Sequence, residues 1–307
     1  MTRSHRIGWT LSLLLAAGIG ASTALSADES AQAPHHTKAP KSAEKKKSPA
    51  PAKMVLEQRA MDLLKAASER LAAAKAMTFT AIVSYEHPSQ LGPPLVYTLR
   101  YDVTMQRPDK LKVLMPGDGP ASEFYYDGKS MTAFAPVENL TAKADAPPTI
   151  DAALKQAYDK AAIYYPFSDL IVADPYAALT EGTILAYYIG PSDVVGGVKT
   201  DMVAWANQDV FVQAWIGTED KLPRRLRAMF AADPLALRHD MEFSNWRLDP
   251  EIAPDAFTSP KAQSGQPIAF ANPAAAPLPA GVKPVFTNAS PKKGSAANAG
   301  TSAPKSP

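Results

Sequence analysis

Between Leu95 and Met105 the chain alternates without a break: Leu95, Tyr97, Leu99, Tyr101, Val103 and Met105 are apolar or aromatic, and Val96, Thr98, Arg100, Asp102 and Thr104 sit between them. Successive side chains of a strand point to opposite faces, so the pattern belongs to a strand with one buried and one largely solvated face. A helix, with its period of 3.6, cannot present it. Arg107-Pro108 ends the run, because proline has no N–H to give a ladder. Lys110 to Leu114 resumes the alternation, and Asp127-Gly128 separates two further strand-like runs. An Asp-Gly pair in that setting signals a hairpin, here with a type I′ turn that sets Tyr126 across from Lys129. The stretch 95–134 therefore reads as a β-meander.

Helical spacing appears on either side of it. Leu56, Ala60, Leu63, Leu64, Ala67, Leu71 and Ala74 share one face, with Glu57, Arg59, Asp62, Lys65 and Arg70 on the other, which predicts an amphipathic helix over Val55 to Ala76. Met77 to Tyr85 follows as a strand with Phe79, Ala81, Val83 and Tyr85 on one face. Later, Thr149 is an N-cap for a helix reaching about Ala162, and Pro166–Leu170 and Pro175–Leu179 have the form of short helical turns. Five more strands are expected at 184–189, 200–206, 209–216, 224–230 and 238–246. Short turns such as Gly196-Gly197 and Asn207-Gln208 imply antiparallel pairing, since parallel strands need long crossovers. The expectation is one α+β domain: a strongly curved antiparallel sheet of about ten strands, an incomplete β-barrel, with two main helices over its concave face.

The ends have a different character. Arg3 and Arg6 precede an apolar stretch from Leu11 to Ile19, and Ala24 or Ala27 offers a small residue for cleavage. This is the form of a signal peptide, 1–24, too short for the roughly 20 residues that span a bilayer. Residues 25–53 and 263–307, rich in Ala, Pro and Lys or Ser, are expected to be a disordered linker and tail around a domain at 54–262. The 307 residues include no cysteine, which excludes disulfides, a catalytic thiol and lipid attachment at a cysteine. The chain is thus expected to be exported to the periplasm as a soluble protein without a membrane anchor in its mature form.

The formal charge of +2 conceals an asymmetry. Residues 1–53 carry 8 basic and 3 acidic side chains and residues 271–307 carry 4 and none, leaving 20 basic against 27 acidic in 54–270. A body at −7 argues against nucleic acid, whose phosphates require a basic face.

Several short motifs carry a resemblance. Arg107-Pro108-Asp109-Lys110-Leu111, Tyr126-Asp127-Gly128-Lys129, Pro166-Phe167-Ser168-Asp169-Leu170 and Pro223-Arg224-Arg225 occur in this order. Phe243-Ser244-Asn245-Trp246 and Ala256-Phe257-Thr258 with Pro260 close the set. Together, over roughly Leu56 to Pro260, they resemble the predicted periplasmic proteins of domain-of-unknown-function family 2092. That family is similar in expected architecture to the LolA/LolB-type lipoprotein carriers. The resemblance implies an apolar cavity between sheet and helices, and it brings no activity and no site residue with it.

Catalytic signals are sparse. His87 and His239 are the only histidines outside the terminal segments, and no Gly-x-Ser-x-Gly, His-Glu-x-x-His or phosphate loop occurs. Ser168 fits helix capping better than nucleophilic attack. His35-His36 lacks a third ligand for a metal, and neither a metal nor a cofactor is expected. Paired carboxylates of glycosidase type stay open among so many acids. The groove candidates are Tyr97, Leu99, Tyr101, Val103, Leu111 and Val113, with Trp205 and Trp215; Trp246 is a third tryptophan near them. An acyl chain of about 14 methylenes gains roughly 11 kcal/mol at ~0.8 each. Association costs of about 4–15 kcal/mol leave modest, reversible binding, as a carrier requires. The leading expectation is a non-catalytic periplasmic binding or carrier protein for a lipid, lipoprotein or hydrophobic peptide. The alternatives are an envelope protein-interaction module with a filled core, and an exported hydrolase.

Overall fold

The computed structural model describes residues 55–272 except 90, 91 and 118, all within the unit 52–307. The expected signal peptide, the linker with His35-His36 and the tail beyond Asn272 lie outside the described residues. Helix α1 (Gln58–Ala73) leads into β1 (Ala76–His87), then β2 (Leu95–Gln106), β3 (Lys110–Met115), β4 (Ser122–Tyr126), β5 (Ser130–Ala135) and β6 (Leu140–Asp145). Helices α2 (Ile150–Ala161), α3 (Ser168–Ile171) and α4 (Pro175–Thr180) connect to β7 (Leu185–Ser192). Strands β8 (Thr200–Ala206), β9 (Val210–Gly217), β10 (Pro223–Phe230) and β11 (Arg238–Leu248) follow, then α5 (Pro260–Gln263) and β12 (Gln266–Ile268).

All twelve strands form one curved, unclosed sheet in the order β12-β6-β5-β4-β3-β2-β1-β11-β10-β9-β8-β7. The α+β class and the incomplete barrel hold. Two meanders meet where β11 pairs with β1, Tyr85 opposite His239 on one side and Tyr97 on the other. The order explains the position of the helices. Strand β6 lies near one edge and β7 at the other, so their connection crosses the whole sheet and carries α2, α3 and α4 over one face. Helix α1 packs against β7, β8, α3 and α4. Its stripe of Ala60, Leu64, Ala67 and Leu71 is buried, and each such leucine contributes about 1.5–3 kcal/mol by leaving water.

Several expectations are corrected. Twelve strands replace about ten: β6 was missed because Leu140, Ala142 and Ala144 are too small an apolar set, and β12 because it is three residues long with a proline. Strand β12 also pairs parallel to β6, and it draws the sheet beyond residue 262. Helix α1 begins at Gln58, because Val55–Glu57 bridges the edge of β7 instead: Ala186 N–H donates to the Val55 carbonyl, 3.0 Å, and Glu57 N–H to the Ala186 carbonyl, 2.8 Å. In the hairpin, Tyr126 faces Met131, and Gly128 has φ +90° while Asp127 and Lys129 have no positive φ. The type I′ turn is absent because the Asp127 carboxylate takes the N–H groups of Lys129 and Ser130 at 2.9 and 2.7 Å. Ser168 opens α3 and makes no capping bond, whereas Thr149 caps α2 as expected, accepting from Ala152 N–H at 3.3 Å.

Both edges of the sheet are guarded by short parallel segments, Val55–Glu57 on β7 and β12 on β6. Unpaired edges template association with other chains, and these segments cover them. A smaller cluster outside the main core, Phe134, Phe257 and Ala262, packs the convex face where α5 crosses β5 and β6.

Candidate functional site

The inward side chains can be followed across the sheet through the register. One row runs Tyr97, Tyr85, His239, Ala228, Val212, Trp205 and Ala186, and another runs Phe79, Val103, Val113, Phe124 and Ala133. Residues opposite each other share a face, so both rows belong to the concave surface.

Helices and their loops fill the part around Phe79. Phe167, fully buried, meets Phe79 edge-on at 5.5 Å and Tyr101 at 5.4 Å, and stacks on Tyr165 at 5.5 Å. Phe79 in turn stacks on Trp246 at 4.4 Å. A bulge between Thr78 and Thr80, with Asn245 at φ +57°, turns Trp246 inward. Tyr126 donates to the Pro147 carbonyl at 2.6 Å and ties the loop before α2 to the sheet. Burial pushes the hydroxyls of Tyr101 and Tyr126 up to about 12, since phenolate is costly away from water.

Under α1 the packing is looser. A cavity of about 20 Å³ lies between α1 and β8–β10, lined by Leu64, Ala67, Ser68 and Leu71 from the helix and by Leu170, Leu179, Trp205, Ala214, Ile216, Pro223 and Leu226. Trp205 donates its indole N–H to the Leu179 carbonyl at 2.7 Å. Ser68 Oγ is buried there without a partner. Polar contacts hold this helix to the sheet edge. The Arg59 guanidinium lies 3.4 Å from the centre of the Tyr188 ring, and Tyr188 donates to Asp201 at 2.9 Å.

Beyond the helices the concave surface is uncovered among the described residues. Tyr85 stacks on Tyr97 at 5.7 Å and on His239 at 6.5 Å; Phe230 abuts His239 at 5.2 Å and His87 abuts Tyr97 at 6.0 Å. Tyr97 is 42 % exposed and Phe230 43 %, with Leu95 and Leu235 also exposed. Desolvation lowers the pKa of His239, while Asp233, Glu86 and Asp240 act in the opposite direction. Those three acids are engaged elsewhere: Glu86 with Arg238, Asp240 with Arg225 at 2.9 Å, and Asp233 with the N–H groups of Leu235 and Leu237. Among the described residues no group of three or more His, Cys, Asp or Glu side chains converges to hold a metal.

The groove candidates separate into three sets. Tyr101, Val103, Leu111, Val113 and Trp205 are buried on the concave face among core residues. Leu99 is half-buried beside that core, and Tyr97 stands in the uncovered row. Trp215 lies on the opposite face: its neighbours Ala214 and Ile216 take the inward positions, and the Arg225 guanidinium sits 5.4 Å over its ring. The sequence reading left Phe167, Ser68, His239 and Phe230 out of this face. Ser68 carried a signal, because it sits four residues after Leu64 and three before Leu71 on the apolar stripe. Phe230 and His239 carried none, since only the β10–β11 register brings them together.

Such an arrangement defines a curved-sheet fold with a helical cover, its concave face part filled and part open. The chain belongs to the family described as predicted periplasmic protein (domain of unknown function 2092), whose model matches residues 60–271. The protein is accordingly placed in the periplasm. Comparison with curated proteins gives no match. Solved structures with a likeness of fold include LprF from Mycobacterium bovis, at 16 % identity and a TM-score of 0.41, covering 66 % of this chain and 99 % of that one. A LolA superfamily protein from Nitrosomonas europaea follows at 10 % and 0.32, covering 65 % and 97 %. The MucA/MucB complex of Pseudomonas aeruginosa matches at 14 % and 0.38, covering 66 % and 62 %. Among the described residues no helix is long and apolar enough to cross a membrane.

Proposed function

We propose that this protein is a non-catalytic periplasmic binding or carrier protein that takes a lipid-like or hydrophobic ligand on its concave face. The observation that carries the reading is the uncovered row of Tyr97, Tyr85, His239 and Phe230, which continues along one face into the helix-covered core. Exposed aromatic surface of this kind marks binding sites. Ligand sites hold about 300–1,000 Å³, against about 20 Å³ under α1, so a ligand that extends from the open row under α1 requires that helix to move off the sheet. The test is displacement of a fluorescent fatty acid, joined to native mass spectrometry of the purified protein for co-purifying lipid. Saturable binding that Tyr97→Ser and Phe230→Ser weaken supports the reading, and no binding with no lipid overturns it.

The filled core around Phe167 favours a second reading, an envelope protein-interaction module that uses the same aromatic row for a protein surface. Capture of an envelope protein by the wild type but not by Phe230→Ser, with no lipid bound, would select it.

A further inference from the structure

The seam under α1 contains one polar group with no partner. Ser68 is 1 % exposed, it is one of the residues lining the cavity, and its Oγ is buried without a hydrogen bond. A serine inside a helix ordinarily returns its hydroxyl to the carbonyl one turn back; here the Leu64 carbonyl does not receive it. The remaining walls, among them Leu64, Leu71, Leu179, Trp205, Ile216 and Leu226, are apolar apart from the Trp205 N–H, and that is already satisfied by Leu179. A lone hydroxyl in such a place is costly in the unloaded protein, and an apolar residue of similar size would remove the cost.

We infer that Ser68 is a specificity-determining residue that donates its hydroxyl to a carbonyl oxygen of the bound ligand. The ligand class is then an acyl amphiphile, with an ester, amide or carboxyl group seated at α1 and its hydrocarbon along the sheet. The inference rests on the binding reading above and narrows it. Water does not substitute well at this point: about 20 Å³ admits a single molecule, which seeks two to four polar partners, and the walls there are almost wholly apolar. A ligand carbonyl needs one donor, which is what Ser68 offers. None of Tyr97, Tyr85, His239 and Phe230 lines that cavity, so uptake and discrimination are separable.

The experiment uses the purified full chain and diphenylhexatriene, a hydrocarbon fluorophore, with two competitors of equal length: methyl tetradecanoate and hexadecane. One net hydrogen bond of ordinary strength corresponds to a preference of about three- to tenfold. Wild type is expected to prefer the ester by that factor, and Ser68→Ala to lose the preference while keeping its affinity for hexadecane. Ser68→Cys, a weak donor of similar size, should fall between. Ser68→Ala should also raise the Tm of the unloaded protein, the opposite sign from a serine that matters for packing. If diphenylhexatriene does not bind wild type, the binding reading itself falls. If it binds, but the ester preference is absent or survives in Ser68→Ala, only the role of Ser68 falls.

Discussion

Phe167 joins the connection that crosses the sheet to the concave face, so Phe167→Ala tests the architecture most directly. Its ring is fully buried against Phe79, Tyr101 and Tyr165 at 5.4–5.5 Å. Truncation of a buried Phe costs about 3–5 kcal/mol, the lost transfer energy plus the cavity that incomplete relaxation leaves. Three aromatic contacts at about 0.5–1.5 kcal/mol each argue for the upper half of that range. Phe167→Leu keeps most of the apolar area and loses the ring contacts, so it should cost about 1–2 kcal/mol. For a domain of this size each kcal/mol is about 2–4 °C, which places Phe167→Ala about 8–20 °C below wild type. Urea unfolding followed by tryptophan fluorescence reads this directly, since Trp246 stacks on Phe79. The urea slope should stay unchanged. A loss under 1 kcal/mol for Phe167→Ala would refute the claim that this ring fills the concave face.

Tyr126→Phe removes the 2.6 Å bond to the Pro147 carbonyl and should cost about 1–2 kcal/mol by the same urea assay. Gly128→Ala should destabilise by at least about 1 kcal/mol: Gly128 has φ +90°, and a Cβ there would meet Asp109 Oδ2 at 2.5 Å. His239 is half-buried between Tyr85 and Phe230, and desolvation lowers its pKa. Below its ordinary pKa of 6.5 the unfolded chain therefore binds more protons than the folded one. Stability from this group falls as pH drops through about 6.5 and levels off below the folded pKa. Urea midpoints between pH 7.5 and 5 should drop less in His239→Gln than in wild type, and parallel curves would refute the assignment.

Much of the sheet was legible locally. The alternation from Leu95 to Met105 needs no partner to be read, and its inward set was right for Tyr101, Val103 and Met105, all buried. Its outer end was not. Leu95 and Tyr97 have the same pattern as Val103 and stay exposed, because the helices stop short of that end. Trp215 shows the second limit: it was a groove candidate, but strand parity with Ala214 and Ile216 turns it to the convex face. Strands β6 and β12 show the third, where small or few side chains leave little hydrophobic signal and pairing does the work.

The sequence by itself determined the period of most main elements, most hairpin positions, the absence of thiol chemistry and the α+β class. These follow from side-chain size, backbone dihedrals and residue type, which act within a few residues. Tertiary structure decided which apolar residues meet a helix and which meet solvent, that β11 closes against β1, and that Ser68 is left without a partner. Those depend on contacts between elements far apart in the chain, such as Phe167 with Phe79 and Tyr85 with His239, where burial and register are set by the whole sheet.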